Sequence, residues 1–379
     1  MEGESTLKPE LRVSRRRFVA ASALGAAFGA LPGHTSSEPL FSRPVDPTPS
    51  PGMRRVIIDT DPGVDDAFAL LFAMRSPELK IEAITPVAGN VPLDLTLSNA
   101  LRMVEIAGRT DIPVARGANG PLMRKLITAS YAHGENGLAG VAFPEPTTKP
   151  VEQSAAELIF RIASSHPGEV SIIAIGPLTN VATALRAYPS LSKMIPEIVL
   201  MGGSLSQGNV TPAAEFNIYV DPEAASIVFS SGIPLTMVGL DVTRKAVLTE
   251  EHVKTLEAGA GAVSRAAARI GRSILERARQ AGWTSGPAMH DPLAVATFLD
   301  KSVVRLEPYF VVVETGGQFT AGETVGYRRA PLRQSAPSLN APESSAVFSD
   351  TLKPNVGVAV DLDAQRFFAT FISRLSSAG

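Results

Sequence analysis

The chain has 379 residues, 45% of them apolar and 19% charged, with 35 Lys and Arg against 37 Asp and Glu. That balance excludes a disordered chain and offers no basic tract for nucleic acid. Cysteine is absent, which excludes disulfides, thiolate zinc sites and cysteine nucleophiles.

At the N-terminus, Arg15, Arg16 and Arg17 precede Phe18, and residues 18–31 carry no charge. A basic start, a short apolar run and a small-residue exit describe an export signal over residues 1–35, similar to the twin-arginine type. Fourteen residues span about 21 Å as a helix, too short for a hydrocarbon core of ~30 Å, so no stable membrane span is expected. The expected location is periplasmic or extracellular. Residues 36–54, rich in Pro and Ser, read as a linker. Residues 1–55 hold eight basic and five acidic side chains, leaving 27 basic and 32 acidic in the body. The basic arm therefore serves targeting.

In the body, residues 56–58, 79–85, 112–115, 170–175, 197–201 and 234–238 read as short apolar strands. Between them, 65–73, 93–107, 155–163, 178–185 and 222–229 show helical spacing, followed by 250–256, 261–281 and 292–299. Two later strands (303–313 and 356–361) and a closing helix (364–375) complete the pattern, and the Pro/Ser-rich stretch 330–345 reads as a surface loop. Strands alternating with helices predict one α/β domain over residues 55–379, an open, mostly parallel sheet covered on both faces. Ligands of such sheets bind beyond the carboxyl ends of the strands, so the polar residues just after each strand are the ones to compare.

After the first strand comes Asp59-Thr60-Asp61-Pro62-Gly63-Val64-Asp65-Asp66. Capping of the next helix accounts for one aspartate but not for four like charges at a strand end; a bound cation does, and oxygen ligands favour a hard ion. An EF-hand loop counted from Asp59 fails, because its sixth and twelfth places hold Val64 and Leu70. A phosphatase of the haloacid-dehalogenase type also opens with Asp-x-Asp after an apolar strand. It wants Thr or Val where this chain has Gly63, and it stands as an alternative.

Companion segments follow the later strands. Asn90 reads as a turn residue or as part of a metal shell. Gly202-Gly203 after Met201 lets backbone approach a ligand. Asn209, Glu215 and Asn217 suit a polyhydroxylated ligand with Phe216 as an apolar wall, or are ordinary loop caps. His290-Asp291-Pro292 opens a helix, with Asp291 reading equally as its N-cap.

The first motif, with Val87 to Asn90, His133-Gly134-Glu135, Gly176-Pro177-Leu178-Thr179-Asn180, Met201-Gly202-Gly203, Ala214 to Asn217 with Asp221-Pro222-Glu223-Ala224, and His290-Asp291-Pro292, resembles the nucleoside hydrolase family of the inosine–uridine-preferring type. The resemblance runs in order from about residue 55 to the C-terminus. It implies a Rossmann-like open α/β domain, hydrolysis of the N-glycosidic bond of ribonucleosides to base and ribose, a bound Ca²⁺, and a homodimer or homotetramer. Residue by residue, it implies Asp61, Asp66 and Asp291 as side-chain calcium ligands, with the backbone carbonyl of Ile175. Asp65, Asn209, Glu215 and Asn217 would hold the ribose hydroxyls, Asn90 would sit beside the metal, and Met201 would line the sugar pocket. His133, Phe216 and His290 fall near the base.

The implied chemistry passes through an oxocarbenium-like sugar, which carboxylates stabilise. Asp61 is the expected general base on a Ca²⁺-held water, and chelation of the 2′ and 3′ hydroxyls predicts ribosides over deoxyribosides. His290 reads equally as the acid that protonates the leaving base and as a wall of its pocket. The family's purine readers often carry tyrosines before the His-Asp motif; this chain has Arg277, Arg279 and Trp283 there, which leaves base preference open, and Trp283 reads equally as a stacking ring or as packing. An exported nucleoside-binding protein without turnover is the second alternative, disfavoured because a binder needs no activated water.

Overall fold

Val56 and Ile58 point to one face of the first strand and Ile57 to the other, and all three are fully buried. A strand with two apolar faces must lie between two helix layers. The computed structural model describes residues 52–328 and 353–377 and has that sandwich. In chain order its elements are β1 (Arg54–Thr60), α1 (Val64–Met74), β2 (Leu79–Pro86), α2 (Leu93–Ile106), α3 (Ser130–His133), α4 (Ala155–Ser165) and β3 (Val170–Ala174). Then come α5 (Thr179–Ala187), β4 (Ile198–Met201), α6 (Phe216–Val220), α7 (Pro222–Phe229), β5 (Leu235–Val238), α8 (Leu240–Thr243), α9 (Glu250–Ala258) and α10 (Ala262–Gln280). The chain continues through α11 (His290–Leu299), β6 (Val304–Val313), β7 (Thr324–Tyr327), β8 (Val356–Leu362) and α12 (Ala364–Ser376).

The strands form one sheet in the order β2-β1-β3-β4-β5-β8-β6-β7. Pairing is parallel from β2 through β8, and β6 pairs antiparallel with both β8 and β7. The expected mostly parallel α/β domain is therefore present, with an antiparallel border. The same alternation recurs along the sheet. Ile173, Val199 and Val238 join the core under α1, α10, α11 and α12, whereas Ile172, Leu200 and Met237 join the core under α4, α5 and α7. Each fully buried aliphatic side chain of this kind contributes about 1.5–3 kcal/mol of transfer free energy.

The chain leaves β1 toward β2 on one side and returns to β3 on the other, so the strand order reverses at β1. This is the switch point at which open sheets bind ligands. Every residue of α1 is buried, and α11 is buried from Asp291 to Phe298. Both helices run beneath the sheet mouth, and the polar residues of their first turns are carried inside with them.

Several sequence expectations are corrected. Residues 112–115 form no strand; they make only the single bridges Ile84–Val114 and Ala115–Val151, as fits a segment in which Pro113 has no N–H to donate. The helix starts at His290, where the His290-Asp291-Pro292 motif places it and two residues ahead of the 292–299 spacing; Met289 holds its N-cap position, so Asp291 lies inside the first turn and is not the cap. The short β7, α3, α6 and α8 were not foreseen. The export signal, most of the linker and the 330–345 loop fall outside the described residues.

Candidate active site

Asp61 is the first residue past β1, and it is fully buried. Its Oδ2 accepts the backbone N–H of Asn90 at 2.7 Å, while its Oδ1 is buried without any hydrogen-bond partner. Two glycines make room for it. A Cβ on Gly89 would lie 2.1 Å from Asp61 Oδ2, and one on Gly176 would lie 2.7 Å from Asp61 Oδ1. No larger residue fits either place without moving the carboxylate.

Asp66, in the first turn of α1, ties this corner together. Its Oδ1 accepts from Thr60 Oγ1 (2.7 Å) and Asp61 N (3.1 Å), and its Oδ2 from Gly63 N (3.0 Å) and Asn90 Nδ2 (3.0 Å). The Gly63 bond holds the turn that starts the helix. Behind them, Asp59 Oδ2 accepts from Thr85 Oγ1 (2.6 Å) and Asn180 Nδ2 (2.9 Å), a support beneath the site.

Asp65, Asp66 and Asp291 bring carboxylate oxygens within 4.8 Å of one another, and all three residues are buried. Two helix N-termini, of α1 and α11, aim their partial positive charge at this group. It does not suffice. Burial first and Asp66 second push Asp65 up to about 7, and burial with Asp65, Asp66 and Asp61 drives Asp291 well above the usual carboxylate range. Burial and then Asp66 do the same to Asp61. Among the described residues no Lys or Arg forms an ion pair with any of the four. An all-oxygen donor set, mutual repulsion and an unpartnered buried oxygen on Asp61 fit a hard cation.

A cavity of about 150 Å³ opens above this floor. Asp65, Asn90, His133, Ile175, Met201, Asn209, Glu215, Phe216, Asn217, His290 and Asp291 all line it. Of the residues expected at the site, only Asp61 and Asp66 do not line the cavity; both are fully buried and reach it through Asn90. The opposite wall is built by α6. Glu215 caps that helix, accepting the N–H groups of Gly203, Asn217 and Ile218 at 3.0, 3.0 and 3.1 Å, and burial pushes it up to about 7 against those donors. Asn217 Nδ2 donates to the carbonyls of Ile175 (3.1 Å) and Met201 (3.2 Å), and Asn209 Oδ1 accepts from Phe216 N at 2.9 Å. Asp221 instead caps α7 and holds Leu122 and Thr179, so its part in the motif is structural.

Two histidines flank the upper rim. His133 Nδ1 accepts the backbone N–H of Val64 at 3.0 Å. His290 Nδ1 pairs with Thr243 Oγ1 at 2.7 Å. Burial, then the neighbouring His133 and Arg244, lower His290 to about 4; burial, with Arg277 acting in the same sense, lowers His133 to about 4. Both rings are therefore neutral at pH 7. Thr243 and Tyr131 were not singled out from the sequence. Tyr131 stands two residues before His133 and lines the cavity while 67% exposed, and Trp283 lines it while 37% exposed.

A floor of carboxylates and amides at the switch point, with aromatic and imidazole rings above it, defines an enzyme that holds a polyhydroxylated small molecule carrying a flat group. Residues 56–369 match the family "Inosine-uridine preferring nucleoside hydrolase". The chain is 44% identical over 322 residues to a pyrimidine-specific ribonucleoside hydrolase RihA of Citrobacter koseri, covering 85% of this chain and 97% of that one. Among solved structures it is similar to a plant nucleoside hydrolase (TM-score 0.77, 33% identity, 85% of this chain and 99% of that one). It is likewise similar to a purine-preferring ribonucleoside hydrolase from Gardnerella vaginalis (TM-score 0.76, 31% identity, 85% and 98%). The chain belongs to the inosine-uridine preferring nucleoside hydrolase family and is a ribonucleoside hydrolase. The phosphatase and binding-protein alternatives give way to it. Among the described residues no helix is long and apolar enough to cross a membrane.

Proposed function

We propose that the enzyme hydrolyses pyrimidine ribonucleosides with the help of one Ca²⁺ ion, held by Asp61, Asp66, Asp291 and the Ile175 carbonyl. The observation that carries the metal reading is the group of buried carboxylates with no cationic side chain paired to it and one orphaned oxygen, on Asp61. When bound, such an ion orients a water and the sugar's vicinal hydroxyls. Pyrimidine preference is supported by the RihA relative.

In this reading the protein groups divide the work. Asp65, Asn209, Glu215 and Asn217 fix the ribose hydroxyls, and the carboxylates offset positive charge on the ring as the C1′–N bond breaks. The bonding pair leaves with the base. The water oxygen bonds to C1′, and Asp61, buried at the floor of the site, takes the water's proton. His290, with Thr243 on Nδ1, offers its other ring nitrogen to the departing base.

Residues 1–35 direct export by a twin-arginine-type route in the same reading, giving a periplasmic or extracellular enzyme; the family match begins at residue 56, after this arm. Assembly into a homodimer or homotetramer follows from the family resemblance. A panel of uridine, cytidine, inosine, adenosine and 2′-deoxyuridine, read by reducing-sugar release with and without a chelator, tests the proposal. Uridine and cytidine should lead, 2′-deoxyuridine should lag, and chelation should abolish turnover until Ca²⁺ is restored. Inosine turning over as fast as uridine, or indifference to chelation, would overturn the corresponding half.

A further inference from the structure

The turn that carries His133 is held in an unusual way. Helix α3 has four residues, of which Tyr131 is exposed and Ser130, Ala132 and His133 are only partly buried, so packing holds it weakly. The Ser130 and His133 carbonyls take the N–H groups of Gly134 (2.8 Å) and Ala139 (2.7 Å), while those of Tyr131 and Ala132 are left without a further helical turn. Arg277, on α10, fills that need. Its Nε donates to the Ala132 carbonyl at 3.0 Å, and its Nη2 donates to those of Tyr131 (2.6 Å) and Ser130 (3.2 Å). Two more donors continue the row. Ser273 Oγ donates to the Ala139 carbonyl at 2.7 Å and Arg269 Nη2 to the Ala142 carbonyl at 2.8 Å. Arg269, Ser273 and Arg277 are spaced i, i+4, i+8, one face of one helix.

The held turn has a fixed task. The Val64 N–H can only donate, so His133 Nδ1 is its acceptor and the ring proton sits on Nε2. Val64 is the first residue of α1, immediately before Asp65 and Asp66. A continuous set of contacts thus runs from Arg277 through the α3 carbonyls and His133 to the helix that bears the acidic floor. We propose that Arg277 is a positioning residue: its guanidinium sets the His133 ring, with a defined tautomer, against the start of α1. A planar fork reaches three carbonyls at once; a lysine ammonium would reach fewer from one point.

The proposal rests on the ribonucleoside hydrolase activity and not on pyrimidine preference; the wild-type substrate panel judges the latter separately. The test is a double-mutant cycle on the full chain with the riboside that wild type turns over fastest. Arg277→Met, Arg277→Lys, His133→Ala and the Arg277→Met/His133→Ala pair are compared in kcat, KM and thermal midpoint. Arg277→Met should lower kcat/KM about 10–100-fold, as expected for a small misplacement of a site group. Arg277→Lys should fall between it and wild type. In the His133→Ala background, Arg277→Met should cost less than about 3-fold, because the ring it positions is gone. Equal losses in both backgrounds, or an unchanged kcat/KM in Arg277→Met, would overturn the proposal. Should Arg277→Met fail to fold, Arg277→Lys carries the same cycle.

Discussion

Removing the metal should make this protein less stable as the pH rises, the reverse of what carboxylates usually do. Asp59, Asp65 and Glu215 are each raised to about 7, and Asp61 and Asp291 move the same way, chiefly through burial. A carboxyl raised on folding keeps a proton that the unfolded chain has already released. Its folded state therefore loses ground as pH climbs through the raised value. His133 and His290, lowered to about 4, work in the opposite sense, an effect that fades through the ordinary histidine value of 6.5 and gives back about 0.4 kcal/mol each above it. Across the window from about pH 6.5 to 8.5 a carboxyl titrating near 7 gives up about 0.8 kcal/mol. Three such groups less the two histidines amount to about 1.5 kcal/mol, or roughly 2–5 °C in thermal midpoint for a domain of this size. A hard cation replaces the protons, so its stabilising effect should grow over the same window, beyond the ~2.7 kcal/mol that 100-fold excess over Kd supplies by mass action. The assay is the thermal midpoint of chelator-stripped enzyme from pH 6.5 to 8.5, with and without Ca²⁺. A stripped midpoint that rises across the window, or a gain from Ca²⁺ that is the same at both ends, would refute the reasoning.

Three further outcomes follow from the site. Asp61→Ala should lower kcat at least ~10³-fold with an unchanged far-ultraviolet spectrum, and near-normal turnover of uridine would remove it as the base. Gly176→Ala, whose new methyl would meet Asp61 Oδ1 at 2.7 Å, should weaken Ca²⁺ binding about tenfold or more by calorimetry; unchanged affinity would show that the carboxylate has room to move. His290→Ala should harm hydrolysis of a nucleoside more than that of p-nitrophenyl riboside, whose leaving group needs no proton, and equal losses on both would reduce the ring to a wall.

Much of this was legible in the residues. The aspartates stood out because the apolar run 56–58 has no other reason to lead into four carboxylates within eight residues, and most of the remaining site residues, His133 apart, follow strand ends or start helices, where the switch-point rule directs attention. That Asp291 does not cap α11 was obscured because Met289, at the cap position, has none of the usual capping chemistry. Residues 112–115 have strand composition but only two bridging partners, which no local pattern reveals. Helices as short as α3 and α6 show no period to detect. The grip of Arg277 joins residues some 146 positions apart, so its neighbours in sequence say nothing of it.

The cavity has two unlike halves. Its lower half is mounted on strand ends and on the buried starts of α1 and α11, where glycines leave no space for another atom. Its upper rim is assembled from a short, only partly buried turn and from exposed rings such as Tyr131 and Trp283. Libraries randomised at the rim should therefore retune which nucleobase is accepted while ribose fidelity stays intact, and changes to the lower half should be tolerated almost nowhere. Diversification of this scaffold has a natural direction, from the outside inward.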